Sequence, residues 1–287
     1  MKRILVLTDF SANAEHAAEN AMYLSKQLNT GLLLYHAYEM VPIDPYYTGG
    51  PYVPDPTSVY AVQGEKELKL LTETLTERAE KIEPGTNLPI QHLTGEGHLG
   101  ENVKDIIAEK DISLVVMGAS SGSAFDHLIG GQETLKVINK ATLPVLIIPA
   151  NTELKNIRQL VFATNFEKND INAIAYLADL AQTLGFKIDI VHIDAFNSGR
   201  SDLMSEITFK RFVNGLNFTG ITYHDIRGKD VVNRLNSFCK TSGADVLAMV
   251  HYHQNFFAQL FGTCDTKKEL AHQQQALLVF PPDFVDA

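Results

Sequence analysis

The chain says the same thing twice. Thr8-Asp9-Phe10 closes the apolar run Ile4-Leu5-Val6-Leu7, and 156 residues later Thr164-Asn165-Phe166 closes Leu160-Val161-Phe162-Ala163. His36 and His192, each at the end of a further apolar run, keep that spacing. Beyond them the spacing shortens to 132. Val116-Met117 corresponds to Ala248-Met249, and Val145-Leu146-Ile147-Ile148-Pro149 to Leu277-Leu278-Val279-Phe280-Pro281. The second copy therefore lacks 24 residues that the first contains. A duplicated unit with one deletion implies two homologous domains in tandem, and it fixes the architecture before any single element is assigned.

Length agrees with this division. At roughly 100 to 200 residues per domain, 287 residues predict two, each able to bury a core. We place them at 1–150 and 157–287, joined by a linker at 151–156. The formal charge of −10, without a basic stripe, argues against nucleic acid as a partner, since phosphate backbones are bound by clustered Lys and Arg. Cys239 and Cys264 are the only cysteines, too few for a disulfide framework and consistent with a reducing compartment. Met1-Lys2-Arg3 leads straight into a strand, and no apolar run approaches the ~20 residues needed to span a bilayer. The expectation is a soluble, cytoplasmic protein with no membrane partner.

Within the first copy, Ile4 to Leu7 reads as a strand buried on both faces of a parallel sheet. Ser11 followed by Ala14, Ala17, Ala18, Ala21 and Leu24 starts a helix that ends near Asn29-Thr30-Gly31. Leu32 to His36 is the next strand. Pro42 to Pro56, rich in Pro, Gly and Tyr, reads as a long surface loop that accounts for the extra length of this copy. An amphipathic helix follows from Gly64 to Ile82, then a strand at Ile90–Leu93, a helix at Leu99–Glu109 and a strand at Ser113–Met117. A helix around Glu133–Asn139 and a strand at Val145–Ile148 complete the copy. The order predicts two tandem doubly wound three-layer α/β/α domains with parallel sheets.

Ligands of such sheets sit beyond the carboxyl ends of the strands, where loop amides and helix N-termini are presented. Thr8-Asp9, Ala37, Gly95-Glu96-Gly97 and Met117-Gly118 converge on that edge. The stretch Gly118-Ala119-Ser120-Ser121-Gly122-Ser123, continuing to Gly130-Gly131-Gln132, is rich in small residues that let backbone N–H groups approach an anion.

These residues resemble the universal stress proteins, whose fold belongs to the adenine-nucleotide alpha-hydrolase-like class. The family's nucleotide motif is Gly, two residues, Gly, nine residues, then Gly-Ser or Gly-Thr, ahead of a Pro-Val strand. Gly118 matches the first glycine, Ser121 stands at the second, Gly131 matches the third before Pro144-Val145, and Gln132 replaces the Ser or Thr. The resemblance implies ATP or a related adenine nucleotide in the first copy, with no metal beyond a nucleotide-bound Mg²⁺. It places Asp9 near the ribose or adenine, Ala37 at the adenine wall, Gly118, Ser121 and Gly131 around the phosphates, and Gln132 at the terminal one, with Thr8 and Met117 also among the nucleotide-binding residues. It also implies a stress-response binding or regulatory protein rather than an enzyme, with the last strands of the two copies paired as an intramolecular pseudo-dimer and room for a further homodimer. Ser121 and Gln132 depart from the motif and favour the alternative, a member without nucleotide that acts through protein partners or another small ligand.

The second copy departs further: Asn165, Val250, His253, Thr263 and Cys264 occupy the five motif positions. Bulky and β-branched groups there fill places that need bare backbone, so this copy reads as structural or as binding something else. Two other chemistries were weighed. His251, His253, Cys264 and His272 carry groups that suit zinc, but in no ligand spacing of a known site. Gly118-Ala119-Ser120-Ser121-Gly122 spells the Gly-x-Ser-x-Gly of serine hydrolases, but Asp126 and His127 lie too close in sequence to serve as the usual partners. Ser120 should therefore not label with a fluorophosphonate probe; labelling that disappears in Ser120→Ala would establish an activated nucleophile.

Overall fold

A computed structural model describes residues 1–38, 56–85, 87–119, 132–194, 203–228, 230–251 and 275–285. The first copy runs β1 (Arg3–Leu7), α1 (Ala12–Gln27), β2 (Gly31–Tyr38), α2 (Pro56–Ile82), β3 (Ile90–Glu96), α3 (Leu99–Glu109), β4 (Ile112–Gly118), α4 (Gln132–Lys140) and β5 (Val145–Ile148). The second runs β6 (Gln159–Ala163), α5 (Asp170–Leu184), β7 (Lys187–Asp194), α6 (Leu203–Asn214), β8 (Ile221–Arg227), α7 (Val231–Ser242), β9 (Val246–Val250) and β10 (Ala276–Phe280). All ten strands form one sheet in the order β3-β2-β1-β4-β5-β10-β9-β6-β7-β8. Each half is parallel, as short apolar strands joined by helical crossovers require.

Among the described residues one antiparallel pairing joins the halves. Leu277, Leu278 and Val279 of β10 lie opposite Ile147, Leu146 and Val145 of β5. At a spacing of 132, Leu278 is the counterpart of Leu146, so a pseudo-twofold axis passes between these two residues. Neither strand is left as an open apolar edge; their side chains are buried on both faces.

Alternation along the strands sorts the core into two layers. Ile4, Val6, Leu32 and Leu34 face Ala17, Ala21, Leu68 and Leu75 of α1 and α2. Leu5, Leu7, Leu33 and Tyr35 face Val103 and Ile106 of α3 and Val137 of α4. Both layers continue without a break into the second half, through Leu160 and Phe162 on one face and Val161 and Val191 on the other. Period-two burial on β1 thus decides which helices lie above the sheet and which below.

One detail differs from the sequence reading. Pro56 opens α2 instead of closing a loop, and α2 has 27 residues against 12 in its counterpart α6, so most of the extra length of the first copy is helix. Proline is well placed in a first helical turn, where its missing N–H has no partner to lose. The rest of the Pro42–Pro56 stretch lies outside the described residues. The 151–156 linker is packed against the first helix. Leu154 is fully buried, His16 Nε2 donates to the Thr152 carbonyl at 2.7 Å, and the Leu154 amide donates to Asn20 Oδ1 at 2.6 Å. In the second copy Asn172, the counterpart of His16, donates to the Phe284 carbonyl at 2.9 Å. Each copy therefore straps its own first helix with the chain that leaves its last strand.

The pairing of β5 with β10 generates a test. Residues 1–150 expressed alone expose a row of unpaired backbone groups on an apolar strand and should self-associate or aggregate. Sedimentation at micromolar concentration would show this; a stable monomer would mean that β5 needs no partner.

Candidate functional site

A cavity of about 360 Å³ opens at the carboxyl ends of β1, β2 and β4. This is the switch point of the first half, where β1 lies between β2 and β4 and the chain leaves the sheet in opposite directions. Thr8, Asp9, Ala37, Met117 and Gly118 line it, so five of the eight site residues expected from the sequence come together. Gln132 opens α4, whose next residues, Glu133 and Thr134, also line the cavity. Ser121 and Gly131 lie outside the described residues, as do Ser120, His253, Cys264 and His272. Ala37 and Gly95-Glu96 belong to β2 and β3 rather than following them, because pairing of Ala37 with Gly95 and of Tyr38 with Glu96 carries both strands further.

The turn after β1 is held in an unusual conformation. Phe10 has φ of 61° and Phe166, its counterpart, 62°. A left-handed phenylalanine costs about 1–2 kcal/mol, so the surroundings must impose it. The Phe10 amide donates to Thr8 Oγ1 at 3.0 Å, and its ring lies 4.4 Å from the imidazole of His36. His36 Nδ1 donates in turn to the Thr8 carbonyl at 2.9 Å. The second copy repeats every contact, with Thr164, Phe166 and His192. The repeated histidines are thus packed, hydrogen-bonded strand residues that brace this turn, and His36 also reaches the cavity wall.

Asp9 follows on the exposed side of the turn. Its Oδ1 accepts the Ser11 amide at 3.0 Å, which leaves Oδ2 without a partner among the described residues. Ser11 caps α1 through the Ala14 amide at 3.3 Å. On the opposite wall Gly97, with φ of 99°, turns the chain into α3, and His98 stands at its N-cap without a side-chain capping bond. The N-termini of α1, α3 and α4 therefore all border one cavity, an arrangement that favours a negatively charged group. Tyr35, buried beneath Gly95, keeps its phenol neutral because burial pushes its pKa up to about 12.

Gly118 has a packing duty that its place in the motif conceals. A Cβ there would stand 2.6 Å from the Asn13 carbonyl oxygen and 3.0 Å from the Ala14 amide nitrogen. The end of β4 thus touches the backbone of α1, and Asn13 Nδ2 donates to the Ala119 carbonyl at 2.8 Å to hold the contact. In the second copy Val250 takes this position, buried, and α5 starts at Asp170, two residues later than its counterpart α1. The residues before α5 form a tighter turn, with the Asp170 amide on the Glu167 carbonyl and the Ile171 amide on the Lys168 carbonyl.

The same substitutions close the second site. Its cavity is about 140 Å³, and Ile193 and Val250 line it where Ala37 and Gly118 line the first. Asp170 replaces Ala14 and is buried, its Oδ2 accepting Thr164 Oγ1 at 2.6 Å and the Glu167 amide at 3.1 Å. A carboxylate of the chain itself thus sits at the start of this helix, where the first copy has the Ser11 cap and Asp9 Oδ1 on the Ser11 amide. Asp230, at the place of His98, likewise caps its own helix through Asn233. Sequence reading passed over Ala14, His98 and Glu133; comparison of the repeats at these positions is the signal that finds the first two. Of the histidine group weighed for zinc, His251 is described: its Nε2 lies 3.1 Å from Asn139 Oδ1.

The comparisons with known proteins agree with the fold. The family model for the universal stress protein family matches residues 1–149. A universal stress protein of Thermus aquaticus is 30% identical over 152 residues, which covers 51% of this chain and 98% of that protein. Among solved structures, a universal stress protein from Archaeoglobus fulgidus aligns over 97% of this chain and 96% of its own, with a TM-score of 0.69 at 14% identity. The cytoplasmic domain of a prokaryotic cation chloride cotransporter aligns over 97% and 94%, with a TM-score of 0.51 at 8% identity, so the two-copy architecture is shared beyond proteins of that name. No helix among the described residues is long and apolar enough to cross a membrane. Family model, relative and fold converge on one assignment: the chain belongs to the universal stress protein family.

Proposed function

We propose that the chain is a non-enzymatic, cytoplasmic stress-response binding protein whose first copy, residues 1–150, holds ATP or a related adenine nucleotide, while the second, 157–287, is a scaffold that has lost the site. The observation that carries this reading is the open cavity at the switch point of the first half, bordered by three helix N-termini, against its smaller counterpart in the second. In this reading Asp9 accepts hydrogen bonds from the ribose or adenine through Oδ2. Ala37, Thr8 and Met117 form the wall against the base, and the phosphate end points toward Gly118, Ser121, Gly131 and Gln132. A member without nucleotide, working through a protein partner, is favoured by the motif departures at Ser121 and Gln132. The exposed apolar side chains of Leu203, Met204 and Ile207 on α6 support it too.

The test copies the second site into the first. Ala37→Ile, which installs the residue found at 193, should lower adenine-nucleotide affinity by about ten-fold or more in calorimetry while leaving the melting temperature nearly unchanged, because a side chain then fills space the base requires. Undiminished affinity would place the ligand elsewhere. Gly118→Val is a poorer probe of binding. It drives a side chain into the α1 backbone and should cost about 1–3 kcal/mol of stability, measurable by chemical denaturation whether or not ligand binds.

A further inference from the structure

His251 follows β9 and is the counterpart, at the spacing of 132, of Ala119. Their backbones are used alike: the Ala119 amide donates to the Ile148 carbonyl and the His251 amide to the Phe280 carbonyl, each at 2.9 Å. Their side chains differ. Ala119 ends in a methyl group and lines the first-copy cavity, whereas the buried imidazole of His251 reaches out of its own copy to α4 of the first. Its Nε2 meets Asn139 Oδ1 at 3.1 Å, and because that oxygen only accepts, Nε2 carries the proton.

α4 is also the helix whose first turn, through Glu133 and Thr134, forms one wall of the first-copy cavity. With nine residues it is about 13 Å long and moves as a body, so a hold near its end sets where its beginning lies. On one side α3 presses against it, for a Cβ at Gly100 would stand 2.9 Å from the Lys136 carbonyl oxygen. Lys140 also pairs with Glu101 of α3 at 2.6 Å, but both side chains are about half exposed and the pair adds little. His251 supplies a buried polar contact from the opposite copy. Val137 and Ile138, just before Asn139, are buried in the layer that also holds Leu247 and Met249 of β9. We propose that His251 is a positioning residue for the first-copy cavity. By bonding Asn139 it fixes α4, and with it the wall formed by Glu133 and Thr134, so that the site of one copy is completed from the other. This gives the second copy a part in binding beyond that of a scaffold; reading it out with an adenine ligand rests on the function proposed above.

Adenosine titration by calorimetry and hydrogen exchange of the ligand-free protein, both on the full chain, test it together. His251→Ala should lower adenosine affinity about three- to ten-fold, the loss expected when one hydrogen bond that fixes the wall is removed. Exchange of the α4 amides should quicken while that of α1 stays as it is. Asn139→Ala should do the same and add little in the His251→Ala background, and His251→Gln, which keeps a donor for Asn139, should restore most of both effects. Asn139 is exposed, so its variant reads the same contact without opening a buried space. A merely structural role would lower the melting temperature of His251→Ala and leave affinity well below that temperature unchanged. Unchanged affinity in His251→Ala, or a loss that Asn139→Ala does not reproduce, overturns the positioning role while leaving adenine binding intact. If the wild-type chain binds no adenosine, the adenine reading falls and exchange decides: quickening of α4 in both single variants supports the hold by His251, and its absence overturns it.

Discussion

Leu146 lies opposite Leu278, its own counterpart in the second copy, and the rest of the molecule is arranged about that contact. Two doubly wound halves each end in a short strand with apolar residues on both faces. Alone, each would present unpaired N–H and C=O groups beside an apolar surface, a combination that favours association with another chain. Antiparallel pairing satisfies both edges at once, and it is self-complementary because the strands are repeats of one another. The two core layers can then run unbroken from one half to the other. The straps that follow β5 and β10 add to this. Thr152 and Leu154 in one half, and Phe284 in the other, hold the first helix of each copy against the sheet edge that is shared.

That constraint acts on the sheet and leaves the ligand edge free to diverge. The strands of the second copy keep their apolar alternation, and the turn after β6 keeps its left-handed Phe166, its threonine acceptor and its stacked His192. The turn is therefore part of the fold itself. The positions just beyond it have no such duty. Ala14, Ala37 and Gly118 became Asp170, Ile193 and Val250, and each exchange adds atoms to the space that the first copy leaves open. Asp170 does more than fill. Its carboxylate, which accepts the Thr164 hydroxyl and the Glu167 amide, places a fixed negative charge at the start of α5.

Much of this was legible in the sequence, for identifiable reasons. The bounds of α3 and β5 follow from local signals: helical spacing from Leu99 to Glu109, and a four-residue apolar run introduced by Pro144. The tandem and the pairing of its last strands follow from the repeat. What the sequence concealed depends on partners distant along the chain. β2 and β3 extend further because Ala37 and Tyr38 find Gly95 and Glu96 beside them, a registration that neither segment announces alone. The Pro, Gly and Tyr before residue 56 drew attention to a loop, while the greater part of the extra length lies in the α2 helix, whose solvent-facing charged side gives no sign of where it must begin.

Gly118 shows the limit most clearly. A glycine at a strand end reports that something approaches closely, but not what. The motif points to phosphate, whereas the structure places the backbone of α1 within 2.6 Å of the missing Cβ. The two duties are compatible, since a strand end drawn against a helix N-terminus also brings that terminus to the edge of the cavity. They diverge under substitution. In the second copy Val250 stands beside a first helix that starts two residues later and carries an aspartate at its opening turn. The packing of the strand end against α1 and the shape of the cavity are thus coupled through one atom position, since a Cβ at residue 118 would meet the backbone of Asn13 and Ala14 beside the cavity.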